Sequence, residues 1–264
     1  MKLALEYIKN KLGDEKPDIG IILGSGLGKV VDILEDTIVL EYADITDMPL
    51  PTVKGHTGCV YIGKLGKHMV LCLQGRIHLY EGHPPQLIYS FIEFLQEVGL
   101  KKLIITNAAG SLYQGMPAGS LMLIKDHINL SGRNPLEGPH KEPYFPDMSK
   151  AYDEEMRNNF KKVAQSENVN LYEGVYLMTL GPNFETPSEI KMFRLLGADA
   201  VGMSTVPEVI SAVHCGIKVL GISVISNLGT GLTDEEQSHD DVLKNVGKAS
   251  EKLADLIQHY LEEY

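Results

Sequence analysis

The chain has 264 residues, 44% hydrophobic and 22% charged, an ordinary globular balance that excludes a disordered or fibrous protein. Its formal charge of −11 has the wrong sign for wrapping nucleic acid or lying on anionic lipid, so an anionic ligand must meet a local cluster of donors. Three cysteines with no C-x-x-C pair or metal-ligand spacing point to a reduced compartment. With no cleavable leader after Met1 and no apolar run near the roughly eighteen residues of a membrane span, the expectation is a cytoplasmic protein without a bound metal.

In chain order, short β-branched runs predict strands at 19–23, 59–62, 69–73, 103–106, 121–124, 174–180 and 219–225, with a further short one ending near Gly202. Amphipathic stretches predict helices at 2–12, 27–34, 85–98, 151–167, 187–196, 207–215 and 239–263. In the last, Val242, Val246, Ala249, Leu253, Ile257 and Tyr260 recur at spacings of three and four behind a Ser238–Asp241 cap. Alternation of this kind implies one α/β domain over residues 1–264, a mixed central sheet with helices on both faces. An irregular stretch at 128–149 holds four prolines; a loop of that length is functional or packs on a neighbouring subunit.

Polar and glycine-rich segments fall where strands end, which is where open α/β sheets bind ligands. The run Gly24-Ser25-Gly26-Leu27-Gly28 joins a buried strand to a helix and offers backbone N–H groups, a helix end and the Ser25 hydroxyl to an anion. Lys29 and Val30 break the dinucleotide and Walker spacings, and a tight turn with no ligand explains the glycines equally. Arg76 and His78, two apart, face the same side of an extended chain and make a guanidinium and imidazole-donor clamp for an oxyanion; a surface ion pair and a core histidine are the alternatives. His56 lies in a Gly-flanked turn, and small Ala108, Ala109 and Gly110 allow either a ligand or another element close to the backbone. In Gly181–Glu189, Thr186 caps a helix with Pro187 as its first residue and Glu189 as reciprocal cap. That leaves Glu185 beside Phe184 to read a flat ligand bearing N–H donors, or simply to meet the helix dipole. Asn227 at a strand end is a turn former or a donor–acceptor for a ligand edge. Ser204 and Met203 precede another helix, and His239 starts the last one. No H-E-x-x-H, G-x-S-x-G or zinc spacing occurs.

Taken in order from residue 19 to 242, the segments at 24–28, 55–58, 75–82, 107–110, 181–186 and 202–208 resemble the trimeric purine nucleoside phosphorylases. The resemblance implies reversible phosphorolysis of inosine, guanosine and their 2′-deoxy forms to free base and (deoxy)ribose 1-phosphate. It implies no metal or cofactor, phosphate being a co-substrate. It implies phosphate on Ser25, Arg76, His78, Ala108 and Ser204 with His56 and Glu81 close by, and ribose on Tyr80, Tyr176, Met203 and His239. It places the purine on Ala109, Phe184, Glu185 and Asn227, makes Asn227, His78 and Glu185 the catalytic set, and sends Phe145 into the neighbouring subunit's site of a homotrimer. The sibling methylthioadenosine phosphorylases, which read the base with an Asp at the position of Asn227, are the alternative enzyme. A catalytically silent nucleoside- or phosphate-binding protein of the same fold is the alternative outside enzymes, and the failed glycine spacing makes a dinucleotide-dependent oxidoreductase remote.

Overall fold

Side chains that point alternately to the two faces of each strand decide how the sheet is buried. A computed structural model of the chain describes residues 1–53, 55–138, 145–233 and 238–264. Its strands are β1 (Ile19–Ile22), β2 (Glu35–Glu41), β3 (Cys59–Leu65), β4 (His68–Gln74), β5 (Lys102–Ser111), β6 (Leu121–Asn129), β7 (Leu171–Met178), β8 (Ala200–Gly202) and β9 (Lys218–Leu228). The helices are α1 (Lys2–Leu12), α2 (Gln86–Val98), α3 (Glu154–Ser166), α4 (Pro187–Leu195), α5 (Val206–His214) and α6 (His239–Glu263). Ile22, Leu71, Leu73, Leu103 and Ile105 join one hydrophobic cluster with α1, α2 and α5. Their strand neighbours Ile19, Ile21, Val70, Cys72 and Ile104 join the other, with α3 and α6. Both faces are therefore covered, which is why these strands read as unbroken apolar runs rather than alternating ones.

The sheet order is β2-β3-β4-β1-β5-β8-β7-β6-β9, and β9 pairs back onto β5, so β5, β8, β7, β6 and β9 close into a ring. Strands β4, β1, β5 and β9 run parallel. Their carboxyl ends, carrying Arg76, Ser25, Ala108–Gly110 and Asn227, thus emerge along one edge.

Several elements differ from expectation, each for a local reason. Residues 28–33 form a short 3₁₀ helix rather than an α-helix over 27–34; β-branched Val30 and Val31 and three preceding glycines give an α-helix little support. Six residues of 3₁₀ helix bring little aligned dipole, so the turn's contribution to an anion site falls to Ser25 and the backbone. Strand β2 was not foreseen because it is an edge strand in which only Leu40 is buried. Strands β5, β6 and β9 run past their apolar stretches, carrying Asn107–Ser111, residues 125–129 and Ser226–Leu228 into the sheet. Helix α3 starts three residues late, at the Asp153 cap, whose side chain accepts from Met156 N at 2.9 Å. Helices α1 and α6 match their expected bounds, and Thr186 with Glu189 forms the expected capping box. Of the expected long loop, 128–129 belong to β6, and 139–144 lie outside the described residues. No described helix is long and apolar enough to cross a membrane.

The Gly-rich turn owes its path to a close approach: a Cβ on Gly24 would lie 2.7 Å from Asn107 Cα, which is backbone and cannot swing aside. Gly247, on the exposed side of α6, has nothing within 4 Å. In thermal melts Gly24→Ala should therefore lose about 1–3 kcal/mol, lowering Tm by about 3–10 °C. Gly247→Ala should gain up to about 1 kcal/mol from helix propensity.

Candidate active site

The strand ends surround a cavity of about 280 Å³, near the lower end of the range for small-molecule sites. On one side of it Arg76 is almost wholly buried. Its Nη1 donates to Ser204 Oγ at 3.0 Å, and its Nε lies 2.7 Å from the Glu208 carboxylate as an ion pair. Neither Nε, despite that ion pair, nor Nη2 has a hydrogen-bond partner among the described residues. A guanidinium nitrogen buried without a hydrogen bond is costly. The structure thus resolves the choice left open for Arg76: it is in an ion pair, but a buried one, and it lines the cavity as well.

Ser204 is held by strain. Thr205 has φ 74° and ψ −50°, and Val206 N–H donates to Ser204 O at 2.8 Å, closing a three-residue γ-turn of the rare hand. Such a conformation costs of order 1–3 kcal/mol and persists only when neighbours enforce it. Asn107 Nδ2 donates to Thr205 Oγ1 at 2.8 Å, and Ser204 N–H donates to the Tyr176 hydroxyl at 3.3 Å.

A relay of imidazoles backs the same wall. Arg76 N–H donates to His56 Nδ1 at 3.3 Å, which places the proton on His56 Nε2 facing Ser25 Oγ at 2.9 Å. Ser25 accepts that bond and keeps its own O–H for the cavity. Burial, helped by the nearby His78 and Arg76, pushes His56 down to about 3, so it stays neutral. His78 stacks on Tyr80 with centroids 4.7 Å apart and meets His56 edge-on at 5.2 Å. Burial lowers its pKa too, against the opposing effect of Glu81. Glu81 accepts from His78 N–H at 2.6 Å, from His78 Nδ1 at 3.3 Å and from Thr52 N–H at 2.9 Å. Burial alone would raise the Glu81 carboxyl, but these bonds outweigh it and hold the group at about 2. Neutral His78 thus donates a hydrogen bond from Nδ1–H to Glu81 and keeps Nε2 as an acceptor, where the sequence suggested an imidazole donor.

Across the cavity Glu185 is buried, with Thr179 Oγ1 donating to its carboxylate at 3.2 Å. Burial raises its pKa, only partly offset by hydrogen bonds. Phe184 stands beside it. Asn227 Oδ1 accepts from Ser226 Oγ at 2.6 Å and Nδ2 donates to Leu228 O at 3.0 Å, leaving one N–H and one lone pair for a ligand. Ser226 and Asn227 are adjacent in β9, yet both line the cavity. The register explains this: Ala109 pairs with Ile225 but Gly110 with Asn227, so Ser226 is a bulge residue that turns its neighbour.

Of the residues expected in the site, Ser25, Arg76, His78, Tyr80, Ala108, Ala109, Phe184, Glu185, Met203, Ser204, Asn227 and His239 all line the cavity. Four do not. His56 and Glu81 stand behind Ser25 and His78 as supports. Tyr176 is fully buried beneath Gly202, where a side chain would strike its hydroxyl, so it steadies the Ser204 backbone instead of facing a ribose. Phe145 is 87% exposed and away from the cavity of its own chain. The sequence reading missed Val53, Pro182, Val201, Ser226 and Val242 on the lining, and gave no role to Glu208 or Asn107 behind it. Val242 was in view only as a core position of α6, and nothing local signals the Ser226 bulge. Among the described residues no cluster of three or more His, Cys, Asp or Glu could hold a metal.

His56 carries a pH signature. With its folded value near 3, below the unfolded value of 6.5, the unfolded chain takes up the proton first, so stability falls as pH drops below about 6.5. Between about pH 7 and pH 5 this amounts to about 2 kcal/mol. In urea melts His56→Gln should shift relative to the parent by that amount in its own favour over the same interval.

Residues 18–262 match the sequence model of the phosphorylase superfamily. The chain is 43% identical over 264 residues to purine nucleoside phosphorylase 1 of Bacillus subtilis, covering 99% of this chain and 97% of that one. Its fold matches crystal structures of Schistosoma mansoni purine nucleoside phosphorylase in complex with adenosine (TM-score 0.92, 37% identity, 99% of this chain and 95% of that one). The complex with inosine matches equally (TM-score 0.92, 36% identity, 100% and 95%). Sequence, fold and a cavity framed by the segments that carried the resemblance agree: the chain belongs to the phosphorylase superfamily and, within it, to the purine nucleoside phosphorylases.

Proposed function

We propose that this chain catalyses the reversible phosphorolysis of inosine, guanosine and their 2′-deoxy forms, giving the free purine and (deoxy)ribose 1-phosphate. One observation carries the reading: a single cavity joins a buried arginine to a buried carboxylate beside an aromatic ring. Phosphate takes the Arg76 guanidinium with the hydroxyls of Ser25 and Ser204 and the backbone at Ala108. As the C1′–N9 bond breaks, its electron pair leaves with the base and positive charge builds on the sugar. A phosphate oxygen then forms the new bond to C1′. His78 Nε2 accepts from a protonated phosphate oxygen or a ribose hydroxyl, and Tyr80, Met203 and His239 flank the sugar. The free N–H of Asn227 faces N7 of the departing base, where the leaving negative charge is partly held. No group of the protein serves as a nucleophile; the rate comes from holding two reactants in line.

Glu185 sets the base preference. Its carboxylate accepts from N1–H of hypoxanthine or guanine and from the 2-amino group of guanine, whereas adenine presents a lone pair at N1. The Schistosoma mansoni enzyme has been crystallised with adenosine, and binding of a nucleoside is a weaker demand than its turnover. The reaction needs no metal or cofactor in this reading. We place the protein in the cytoplasm as a homotrimer. The free cysteines suit a reduced compartment. Leu195 at the end of α4, 88% exposed, and Phe145 offer apolar surface for a neighbouring subunit.

Purine release from inosine and from adenosine, each with and without phosphate, tests the reading. Phosphate-dependent cleavage of inosine is expected. Cleavage without phosphate would indicate a hydrolase, and preference for adenosine or its methylthio analogue the sibling enzyme. Glu185→Gln should lower kcat/KM for guanosine by ~10²-fold or more with little change in Tm; full retained activity would refute the base-site assignment. Because burial raises the Glu185 pKa, the carboxyl protonates earlier on acidification than an ordinary glutamate and becomes a donor that suits adenine N1. The inosine-to-adenosine ratio of kcat/KM should therefore fall between about pH 8 and pH 5, and a ratio constant with pH would remove Glu185 from the contact.

A further inference from the structure

Arg76 separates two spaces. One is the cavity; the other, behind it, is a void of about 10 Å³ walled by Ile22, Ile88 and Phe91, where Glu208 stands. The carboxylate does not line the cavity, so it never competes for the ligand by contact. It is nonetheless a buried charge, 5% exposed, against a guanidinium 2% exposed. Its position in the first turn of α5 lets the helix end support its ionised form. Among the described lining residues Arg76 is the one side chain with a permanent positive charge, and Glu208 already balances it.

Resting on the phosphorolysis reading above, we infer that Glu208 is the resident counter-ion of Arg76. It neutralises the guanidinium while the phosphate position is empty, and it holds anion affinity below what the arginine alone would give. Two facts require such a group. A buried arginine without a partner destabilises the fold strongly, so the empty enzyme needs a charge that stays when phosphate leaves. An enzyme that must release ribose 1-phosphate in one direction and phosphate in the other also gains nothing from a dianion bound at full Coulomb strength. Glu208 is a positioning and charge-tuning residue, since it reaches the reactants only through Arg76.

Charge and position are separable by substitution. Glu208→Gln keeps an oxygen for Arg76 Nε but removes the charge, and Glu208→Ala removes both. Binding of inorganic phosphate is measured by calorimetry at fixed ionic strength on the full chain, with KM for inosine alongside. In Glu208→Gln the phosphate Kd should fall by about fivefold or more with KM for inosine unchanged, and phosphate should raise Tm more than it does in the parent. In Glu208→Ala the freed arginine should bind phosphate more weakly than in Glu208→Gln. A folded Glu208→Gln with parental or weaker phosphate binding would overturn the inference and leave Glu208 a structural partner only. Should the variant unfold alone, saturating phosphate must restore a cooperative melt by supplying the missing charge, and failure to do so is equally fatal. A parent enzyme that binds phosphate and cleaves inosine while the Gln variant shows no tightening sinks this inference alone. A parent that cleaves no nucleoside and binds no phosphate sinks the phosphorolysis reading and this one together.

Discussion

Burying Arg76 is the constraint around which the rest of the site is arranged. A guanidinium withdrawn from water must find its partners inside the protein, and here they come from one segment far along the chain. Glu208 enters from the first turn of α5, Ser204 from the turn before it, and His56 accepts from the Arg76 backbone. Ser204 lies 128 positions after Arg76 and His56 lies 20 before it, and β4, β8 and α5 bring them together. The side chain lines the cavity as well. On the proposed reading, stability and anion recognition are two uses of one desolvated charge.

The same logic governs the neutral histidines. A cationic His56 or His78 would add attraction for phosphate, but burial beside Arg76 makes protonation unfavourable, and both are held neutral. What they supply is direction. His56 fixes the Ser25 hydroxyl as a donor, and Glu81 fixes the His78 tautomer. In a cavity where little has to be nucleophilic, orienting hydroxyls and lone pairs is the chemistry, and strain at Thr205 serves that end by holding Ser204 where the arginine can meet it.

Much of this was legible in the sequence, and the reasons are local. Arg76 and His78 were paired by period-two geometry, Thr186–Glu189 by capping chemistry, and α6 by its apolar spacing; each depends on residues within a few positions of one another. The helix expected at 27–34 failed locally too, because β-branched residues after glycines do not sustain an α-helix. The two faces of the sheet followed from β1, β4 and β5 reading as continuous apolar runs. What stayed hidden depends on pairing across the sheet. Tyr176 was assigned to a ribose because the resemblance carries residues and not the layer they occupy. Ser226 reaches the cavity through a bulge that only its register against Ala109 and Gly110 reveals. Glu208 ends the segment 202–208 with no role that the sequence assigns, since its partner lies 132 positions earlier (208 − 76) and nothing in either segment names the other.

Strand closure explains why those long-range pairings are reliable. Because β9 pairs with both β6 and β5, and β8 joins β5 to β7, the end of β5 has neighbours on both sides up to Ser111. Small residues at Ala108, Ala109 and Gly110 are what allow it: a side chain on Gly110 would press within 3.3 Å of Asn227 Nδ2. The cavity wall at Gly110 is thus backbone clamped between two strands, and backbone held in a sheet is the least adjustable part of a protein. On the proposed reading, Asn227 and Glu185 discriminate among flat purines because the surface the base lies on does not yield, while Tyr80, Met203 and His239 flank the sugar. Rigidity where atoms are to be told apart then follows from which strands carry which residues.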